Sequence, residues 1–237
     1  MTLFLVSPIS SSEALAAYRG GADIVDVKNP EEGALGASFP WIITEVRQAL
    51  PEDLPLSASI GDAPDLPGTV TLAALGALNA GANIIKVGLK GPSEKDRAIN
   101  LMQNVVRAIK KVSDSAEIVA CGYGDYQRAG AIKPLLIPEI AHESGADTAM
   151  LDTAIKDGKP LTHFLSINKL SEFIEKTHSL NLQAALAGSL GQKEISELKF
   201  LKPDVIGVRS AVCTNGDRKQ GKITEAAVRE VKKVLED

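Results

Sequence analysis

The chain of 237 residues contains few aromatic residues and few cysteines. Phe, Tyr and Trp make up 4% of it, which is too little for an all-β sandwich or for an aromatic surface on which nucleic-acid bases stack. Its 2 cysteines, Cys121 and Cys213, belong to no paired or metal-binding motif, which argues against a disulfide scaffold and against a zinc module. We therefore expect a reducing compartment.

Long apolar runs and histidine-rich strand ends are also missing. The apolar stretch 3–6 has no basic leader and stops at Ser7 and Pro8, so we expect no signal peptide, no membrane segment and a cytoplasmic location. The 3 histidines lie on predicted helices or helix starts, at His142, His163 and His178. A metal-assisted mechanism needs ligands at strand ends, so we predict no catalytic metal, and no other cofactor.

Positive charge is not in excess either. The formal net charge of -4 argues against binding to the nucleic-acid backbone, although a local basic pocket for a small anionic substrate is compatible with it. We expect a small-molecule substrate and neither a nucleic-acid nor a membrane partner.

Short apolar runs alternate with helical stretches along the whole chain. We count eight predicted strands, from Leu3–Val6 to Val205–Arg209, with a helix after each and no low-complexity linker between them. Strict alternation of eight strands and eight helices predicts a single-domain α/β fold, a TIM barrel that includes residues 1–237.

A repeated motif supports this fold. Gly-Ala followed by Asp or Asn precedes three predicted strands, and Pro203-Asp204 begins a fourth unit. The key positions Asp23, Asn83, Asp147 and Asp204 are 60, 64 and 57 residues apart, which is the length of two β/α units. The sequence therefore predicts a barrel built from four repeat units, each with two strands.

Aligning the four repeat units brings charged positions of the even strands into register. Side chains alternate between the two faces of a strand, and alternate strands of a barrel fill common interior layers. The positions between the charged ones are almost all aliphatic, as expected for the face packed against helices. We expect five charged side chains to meet inside the barrel: Asp26, Lys28, Lys86, Asp152 and Arg209.

Ionisable groups inside a barrel either form a structural ion-pair cage or serve chemistry. Their position at the carboxyl ends of strands, where barrel active sites are built, favours chemistry. Repulsion between Lys28 and Lys86 would leave neutral amine near pH 7, which forms a Schiff base or takes a proton. Asp26 and Asp152 would hold the ammonium forms and carry protons. Lys156, in the next loop, is expected either to be solvated or to reach in.

Two loops at the end of the barrel predict a phosphate site. Gly188, Ser189 and Gly191 follow the seventh strand, and Arg209 and Ser210 end the eighth. Barrels often bind phosphate in these loops through backbone amides and a helix N-terminus, although the glycines alone would also suit a turn.

Two other loops are candidates for the active site. The segment 122–125 lacks the third glycine of a dinucleotide fingerprint and precedes no obvious short helix, so we interpret it as an active-site loop. The polar segment 215–218 precedes the last helix and is a candidate lid or second anion contact.

Several of these segments together resemble one enzyme family, namely Asp26–Pro30, Glu32–Gly36, Lys86–Gly88, Leu151–Thr153 and Ala187–Leu190. They resemble the (5-formylfuran-3-yl)methyl phosphate synthase family, which forms the furan of methanofuran biosynthesis. The resemblance extends over essentially the whole chain, and Asp-Val-Lys-Asn-Pro is its most specific part.

The resemblance implies a TIM barrel that condenses two molecules of glyceraldehyde 3-phosphate into (5-formylfuran-3-yl)methyl phosphate, releasing one phosphate and two waters. It further implies that Lys28 forms the Schiff base and that Lys86 accepts a proton, with Asp26, Asp152 and Lys156 in support. The sequence does not depart from the family pattern at these five positions. The residues alone indicate only an aldolase-like enzyme with a phosphorylated carbonyl substrate.

Two alternatives remain open at this stage. One is a class I aldolase that acts on another phosphorylated sugar, and the other is a non-catalytic barrel that binds a phosphorylated metabolite. We also expect a homo-oligomer, because barrels often leave apolar helix faces exposed.

Overall fold

A computed structural model describes residues 2–236. Eight parallel strands pair in chain order and close into one barrel, which confirms the predicted TIM barrel fold. The strands are β1 (Leu3–Val6), β2 (Ile24–Val27), β3 (Leu56–Asp62), β4 (Ile84–Gly88), β5 (Glu117–Tyr123), β6 (Thr148–Asp152), β7 (Gln183–Leu186) and β8 (Val205–Val208).

Helices follow every strand of the barrel. They are α1 (Ser11–Arg19), α2 (Pro40–Ala49), α3 (Pro67–Asn79), α4 (Lys95–Lys110), α5 (Tyr126–Ala129), α6 (Ile137–Ser144), α7 (Leu161–Phe164), α8 (Ile167–Ser179), α9 (Gln192–Leu198) and α10 (Glu225–Glu236). The one-turn helices α5 and α7 precede α6 and α8 within the loops that follow β5 and β6. None of the helices described here is long and apolar enough to span a membrane.

The helix boundaries follow from local chemistry. The Ser10 side chain accepts a hydrogen bond from the backbone N–H of Glu13 and so caps α1, while Pro40 and Pro67 occupy the first positions of α2 and α3. Helix α4 buries one face, because its apolar residues recur every three or four positions, at Ala98, Leu101, Met102, Val105 and Ile109.

Strand side chains divide between two apolar layers, as the alternation predicts. Val25, Val27, Ile85 and Val87 belong to the larger layer between the barrel and the helices. The barrel interior is apolar toward the N-terminal ends of the strands, where a smaller cluster includes Leu5, Ile24, Ile84, Val119 and Val205. Glu117 lines the N-terminal mouth of the interior beside this cluster, whereas Asp26, Lys86 and Asp152 lie buried further along the barrel.

The four repeat units share one hydrogen-bond pattern at the N-terminal face of the barrel. In each unit, an Asp or Asn just before the even strand accepts the backbone N–H of a residue on the preceding odd strand through its side chain, and donates its own N–H to that residue's carbonyl. These reciprocal pairs are Asp23 with Phe4, Asn83 with Leu56, Asp147 with Ile118, and Asp204 with Ala184. The repeated residue thus joins the first strand of its own unit to the odd strand that precedes it.

One predicted loop needs correction. Gly122 and Tyr123 continue β5, and the short helix α5 begins at Tyr126, where no helix is predicted. Gly122 has no side chain, and this leaves room for Ile137 of α6, because a Cβ at position 122 would lie 2.4 Å from Ile137 Cγ1. The strand can therefore extend beneath α6. The sequence does not predict this extension, because glycines are more typical of loops than of strand interiors.

Candidate active site

A polar pocket opens at the carboxyl ends of the strands. Most of the side chains predicted for the site line it, together with one arginine from the segment 215–218. The charged and hydroxyl-bearing residues of its lining are Ser7, Lys28, Lys86, Asp152, Lys156, Ser189, Arg209, Ser210 and Arg218. This is the end of the barrel where enzymes of this fold carry their active sites.

Lys86 and Asp26 form a buried ion pair across β4 and β2. Lys86 Nζ lies 2.7 Å from Asp26 Oδ2, and both side chains are almost fully buried. The Ser7 hydroxyl donates to the same carboxylate oxygen at 2.9 Å. Each side chain points inward because its strand neighbours point outward into the helix layer, so the sequence register alone brings the two together.

Asp152 and Lys156 form a second pair at the end of β6. Lys156 Nζ contacts Asp152 Oδ1 and lies 3.2 Å from the Thr153 hydroxyl, with only 13% of its side chain exposed. The alternative of a solvated Lys156 is therefore wrong. Burial raises the pKa of Asp152, but the positive charges of Lys156 and Lys28 outweigh it and lower that pKa to about 2. Asp152 is a stable carboxylate at neutral pH.

Lys28 stands between these two pairs, one residue beyond β2. Among the residues that the structure describes, no carboxylate lies within 4.0 Å of Lys28 Nζ, although both Asp152 and Asp26 are near enough to act on it electrostatically. Burial, with smaller contributions from the charges of Lys86 and Lys156, lowers the pKa of Lys28 to about 7 against the opposing effects of these carboxylates. Burial, rather than repulsion between lysines, is thus the main cause of its neutral fraction.

Arg209 lines the same pocket as the lysines, but its ion-pair partner is a carboxylate outside the predicted cluster. Its Nη1 donates to Glu13 Oε2 at 2.9 Å and to the Ser7 carbonyl at 2.7 Å, and its Nε donates to the Arg218 carbonyl at 2.6 Å. The buried carboxylate of Glu13, from α1, draws the guanidinium toward the wall between β1 and β8. Arg209 Nη2 remains without a partner among the described residues, on a side chain that lines the pocket.

The predicted phosphate loops reach the pocket with one exception. Gly188 has φ of +111°, and a Cβ there would lie 3.0 Å from the Thr153 backbone nitrogen, so only glycine fits this turn. The turn brings Ser189 to the pocket opposite Ser210. Gly191 lies outside the pocket lining, where its N–H donates to Glu194 Oε2 at 2.9 Å, so we leave it out of the phosphate site.

Arg218 is a further pocket residue that no single prediction identified, although its loop was a candidate anion contact. Its Nη2 is buried and has no partner among the described residues. Burial lowers the pKa of Arg218, while the Asp152 carboxylate opposes this shift and the Arg209 charge adds to it. Arg218 lines the same pocket as Lys28, Lys86 and Asp152. The only sequence signal is an arginine in a polar loop, which is common on protein surfaces.

Tyr123 and Asp62 form a contact that the sequence analysis missed entirely. The Tyr123 hydroxyl donates to Asp62 Oδ1 at 2.5 Å, and Asp62 Oδ2 accepts the N–H of Ala34 at 3.3 Å. Burial, together with the nearby Asp62 carboxylate, raises the pKa of Tyr123, so its hydroxyl stays protonated. The pair fastens the segment that follows Lys28 to the ends of β3 and β5.

Comparison with known proteins identifies the family of this chain. A model of the 4-HFC-P synthase family matches residues 4–232. The (5-formylfuran-3-yl)methyl phosphate synthase of Methanothermobacter thermautotrophicus is 53% identical over 234 residues, 99% of either chain. That of Methanocaldococcus jannaschii is 51% identical over 232 residues, covering 98% of this chain and 99% of the relative.

A solved structure supports the fold. The 3-hexulose-6-phosphate synthase from Salmonella typhimurium aligns over 99% of this chain and 98% of its own, with a TM-score of 0.69 and 18% identity. At this sequence identity, the similarity supports the fold and no conclusion about function. Because the family model and the two synthases match nearly the full length of the sequence, the chain belongs to the (5-formylfuran-3-yl)methyl phosphate synthase family of enzymes.

Proposed function

We propose that this enzyme is a lyase of methanofuran biosynthesis that condenses two molecules of glyceraldehyde 3-phosphate into (5-formylfuran-3-yl)methyl phosphate. One phosphate and two waters leave in the overall reaction. The observation that carries the proposal is the arrangement of two buried lysines and one partly buried lysine around two buried aspartates. Lys86 and Lys156 are each paired with one aspartate, whereas within residues 2–236 Lys28 has no carboxylate at ion-pair distance.

Lys28 is the group suited to attack the aldehyde. With a pKa of about 7, the Lys28 side chain is a neutral amine in roughly half of the molecules at neutral pH. The amine adds to the carbonyl carbon of the first triose phosphate, and loss of water gives a protonated imine. Asp152 and Asp26, which lie close enough to raise the pKa of Lys28, stabilise that positive charge.

The Lys86–Asp26 pair suits removal of a proton from the carbon next to the imine. Lys86 first gives its ammonium proton to the hydroxyl that leaves as water when the imine forms. The neutral amine then accepts the proton from carbon, and the Asp26 carboxylate at 2.7 Å stabilises the ammonium that is restored. The electron pair left behind forms an enamine, which attacks the aldehyde of the second triose phosphate and makes the new carbon–carbon bond.

In this proposal the Asp152–Lys156 pair serves the eliminations that follow. Lys156 can donate a proton to a departing oxygen and regain it from solvent, while Asp152 holds the ammonium in place. Elimination and ring closure then give the furan, and hydrolysis of the imine returns Lys28 to its starting form.

The pocket rim offers groups for the substrate phosphate. Arg209 Nη2 and Arg218 Nη2 have no partner among the residues described, and Ser189 and Ser210 contribute hydroxyls. Guanidinium groups bind phosphate through charge-assisted hydrogen bonds, so these residues suit a monophosphate ester. Gly188 lets the backbone approach the anion closely.

The test combines product analysis with chemical trapping. We expect incubation with glyceraldehyde 3-phosphate to yield a furan aldehyde, detected by its near-ultraviolet absorbance and its mass. Borohydride should fix the substrate to Lys28, and Lys28→Ala should abolish both trapping and product. Lys90→Ala, a matched control at an exposed lysine just beyond β4, should leave both intact.

Three results would contradict the proposal in different ways. Trapping on Lys86 would overturn the assignment of Lys28. A carbon–carbon bond without a furan chromophore would indicate a class I aldolase. Binding of triose phosphate with no chemistry, unchanged in Lys28→Met, would indicate a non-catalytic barrel.

A further inference from the structure

A buried carboxylate fixes the loop that carries Lys156. Asp125 follows β5, outside the lining of the pocket, and is only 2% exposed. Its Oδ1 accepts the backbone N–H of Ala154 at 2.7 Å, and its Oδ2 accepts the N–H of Ile155 at 2.9 Å. These two amides immediately precede Lys156.

Other contacts between the two segments surround the same loop. The N–H of Gly124 donates to the Asp152 carbonyl at 2.8 Å, which aligns the ends of β5 and β6. Beyond the lysine, Arg128 Nη2 lies 2.7 Å from Asp157 Oδ2, but this pair is about one-third exposed. Exposed ion pairs contribute little to stability, so Asp125 is the main anchor.

We propose that Asp125 is a positioning residue that acts through Lys156. By holding the amides of Ala154 and Ile155, it fixes the backbone from which the lysine reaches back to Asp152. Asp125 itself does not touch the substrate. The inference rests on the proposed function insofar as that function gives Lys156 a part in the reaction.

The chemistry of a carboxylate explains why Asp is needed here. Both carboxylate oxygens accept hydrogen bonds, and two adjacent N–H groups use one each. In Asp125→Asn, one oxygen becomes an NH2 group that faces a backbone N–H, so one hydrogen bond is lost with little change in volume.

Hydrogen exchange tests the anchor without any substrate. In Asp125→Asn we expect the amide of Ala154 or Ile155 to exchange faster by about tenfold, because a hydrogen bond to a charged acceptor is lost. Asp147→Asn is the matched control, since Asp147 accepts the N–H of Ile118 at 2.8 Å at the opposite face. It should leave both loop amides unchanged. Unchanged exchange in Asp125→Asn would overturn the anchor.

A double-mutant cycle tests whether the anchor acts through the lysine. We expect Asp125→Asn to lower kcat about tenfold with little change in KM, because a small misplacement of a reacting group slows chemistry. In a Lys156→Met background, Asp125→Asn should lower kcat by less than about twofold, since the positioned group is already gone. A tenfold loss in that background would show a role independent of Lys156 and would overturn the inference. Absence of furan product from the unaltered enzyme would instead reject the proposed function, while the exchange result would still test the anchor.

Discussion

Lys86 Nζ and Asp26 Oδ2 lie 2.7 Å apart in the middle of the barrel, where both side chains are almost completely shielded from solvent. A buried ion pair of this kind is sensitive to loss of one partner. Removing one charge leaves the other uncompensated, whereas removing both leaves a neutral interior.

Lys86→Met should therefore destabilise the protein by about 3–5 kcal/mol, because it leaves the Asp26 carboxylate buried without a counter-charge. The double variant Asp26→Asn/Lys86→Met should regain most of that stability while remaining inactive. Urea unfolding and product formation measure the two effects. A double variant less stable than Lys86→Met would contradict the prediction.

The rate of imine formation should rise with pH through about 7, because the Lys28 pKa is lowered to about 7 and only the neutral amine attacks a carbonyl. An ordinary lysine would require a pH near 10 for the same change. The measurement is the initial rate of borohydride trapping on Lys28 between about pH 6 and pH 9. A rate that kept rising tenfold per pH unit up to pH 9 would contradict a lowered pKa.

Lys28→Met should stabilise the fold at neutral pH. The pKa of Lys28 is about 7 in the folded protein against the ordinary lysine value of 10.5, so between these pH values the unfolded chain binds a proton that the folded protein lacks. Stability of the unaltered protein therefore rises with pH across this window. The difference in Tm between Lys28→Met and the unaltered protein should be largest near pH 7 and shrink toward pH 10. Calorimetry at several pH values tests this, and a constant difference would contradict it.

Arg218→Met should weaken binding of phosphorylated substrate, since the guanidinium lines the pocket with a buried, unpartnered Nη2 in the part of the chain described. We expect KM to rise and the affinity for inorganic phosphate to fall by about tenfold, the effect of losing a hydrogen bond to a charged group. The Arg218 carbonyl still accepts from Arg209 Nε in this variant. Lys222→Met, at an exposed site on the same loop, is the control and should bind phosphate normally.

Two glycines should respond oppositely to alanine. A Cβ at Gly88 would lie 2.3 Å from the Tyr123 hydroxyl and 2.9 Å from the Gly61 carbonyl, whereas one at Gly76, inside α3, would meet nothing within 4 Å. Gly88→Ala should therefore destabilise the protein by about 1–3 kcal/mol. Gly76→Ala should stabilise it by about 0.5–1 kcal/mol through helix propensity. Urea unfolding of both variants tests the contrast, and equal effects would contradict it.

The barrel and its inner charged face could be predicted because burial imposes a period of two on each strand. That period places Asp26 and Lys86 on one face whatever the loops do, and the structure pairs them. Loops have no such period. Lys156 contacts Asp152, and Arg209 pairs with Glu13. Both residues lie beyond the ends of their strands, where the alternation of side chains no longer predicts the direction of the backbone. Gly191 illustrates the same limit, since its amide is taken by Glu194 only three residues later.

The reciprocal hydrogen-bond pairs at the N-terminal face have a consequence for how the chain can be connected. Each pair joins an odd strand to the even strand that follows it, so a break between an even strand and the next odd strand, such as the turn 51–55, separates no pair. The first and last segments that the structure describes also contact this face: the Thr2 hydroxyl donates to the Pro203 carbonyl, and Lys232 in α10 contacts Asp23. A circularly permuted chain that begins in this turn keeps all four pairs intact and places its new termini opposite the reacting lysines. The cut turn and the four hydrogen-bond pairs thus lie at the opposite end of the barrel from the reacting lysines. The order of the elements along the chain can therefore be changed without changing the active site.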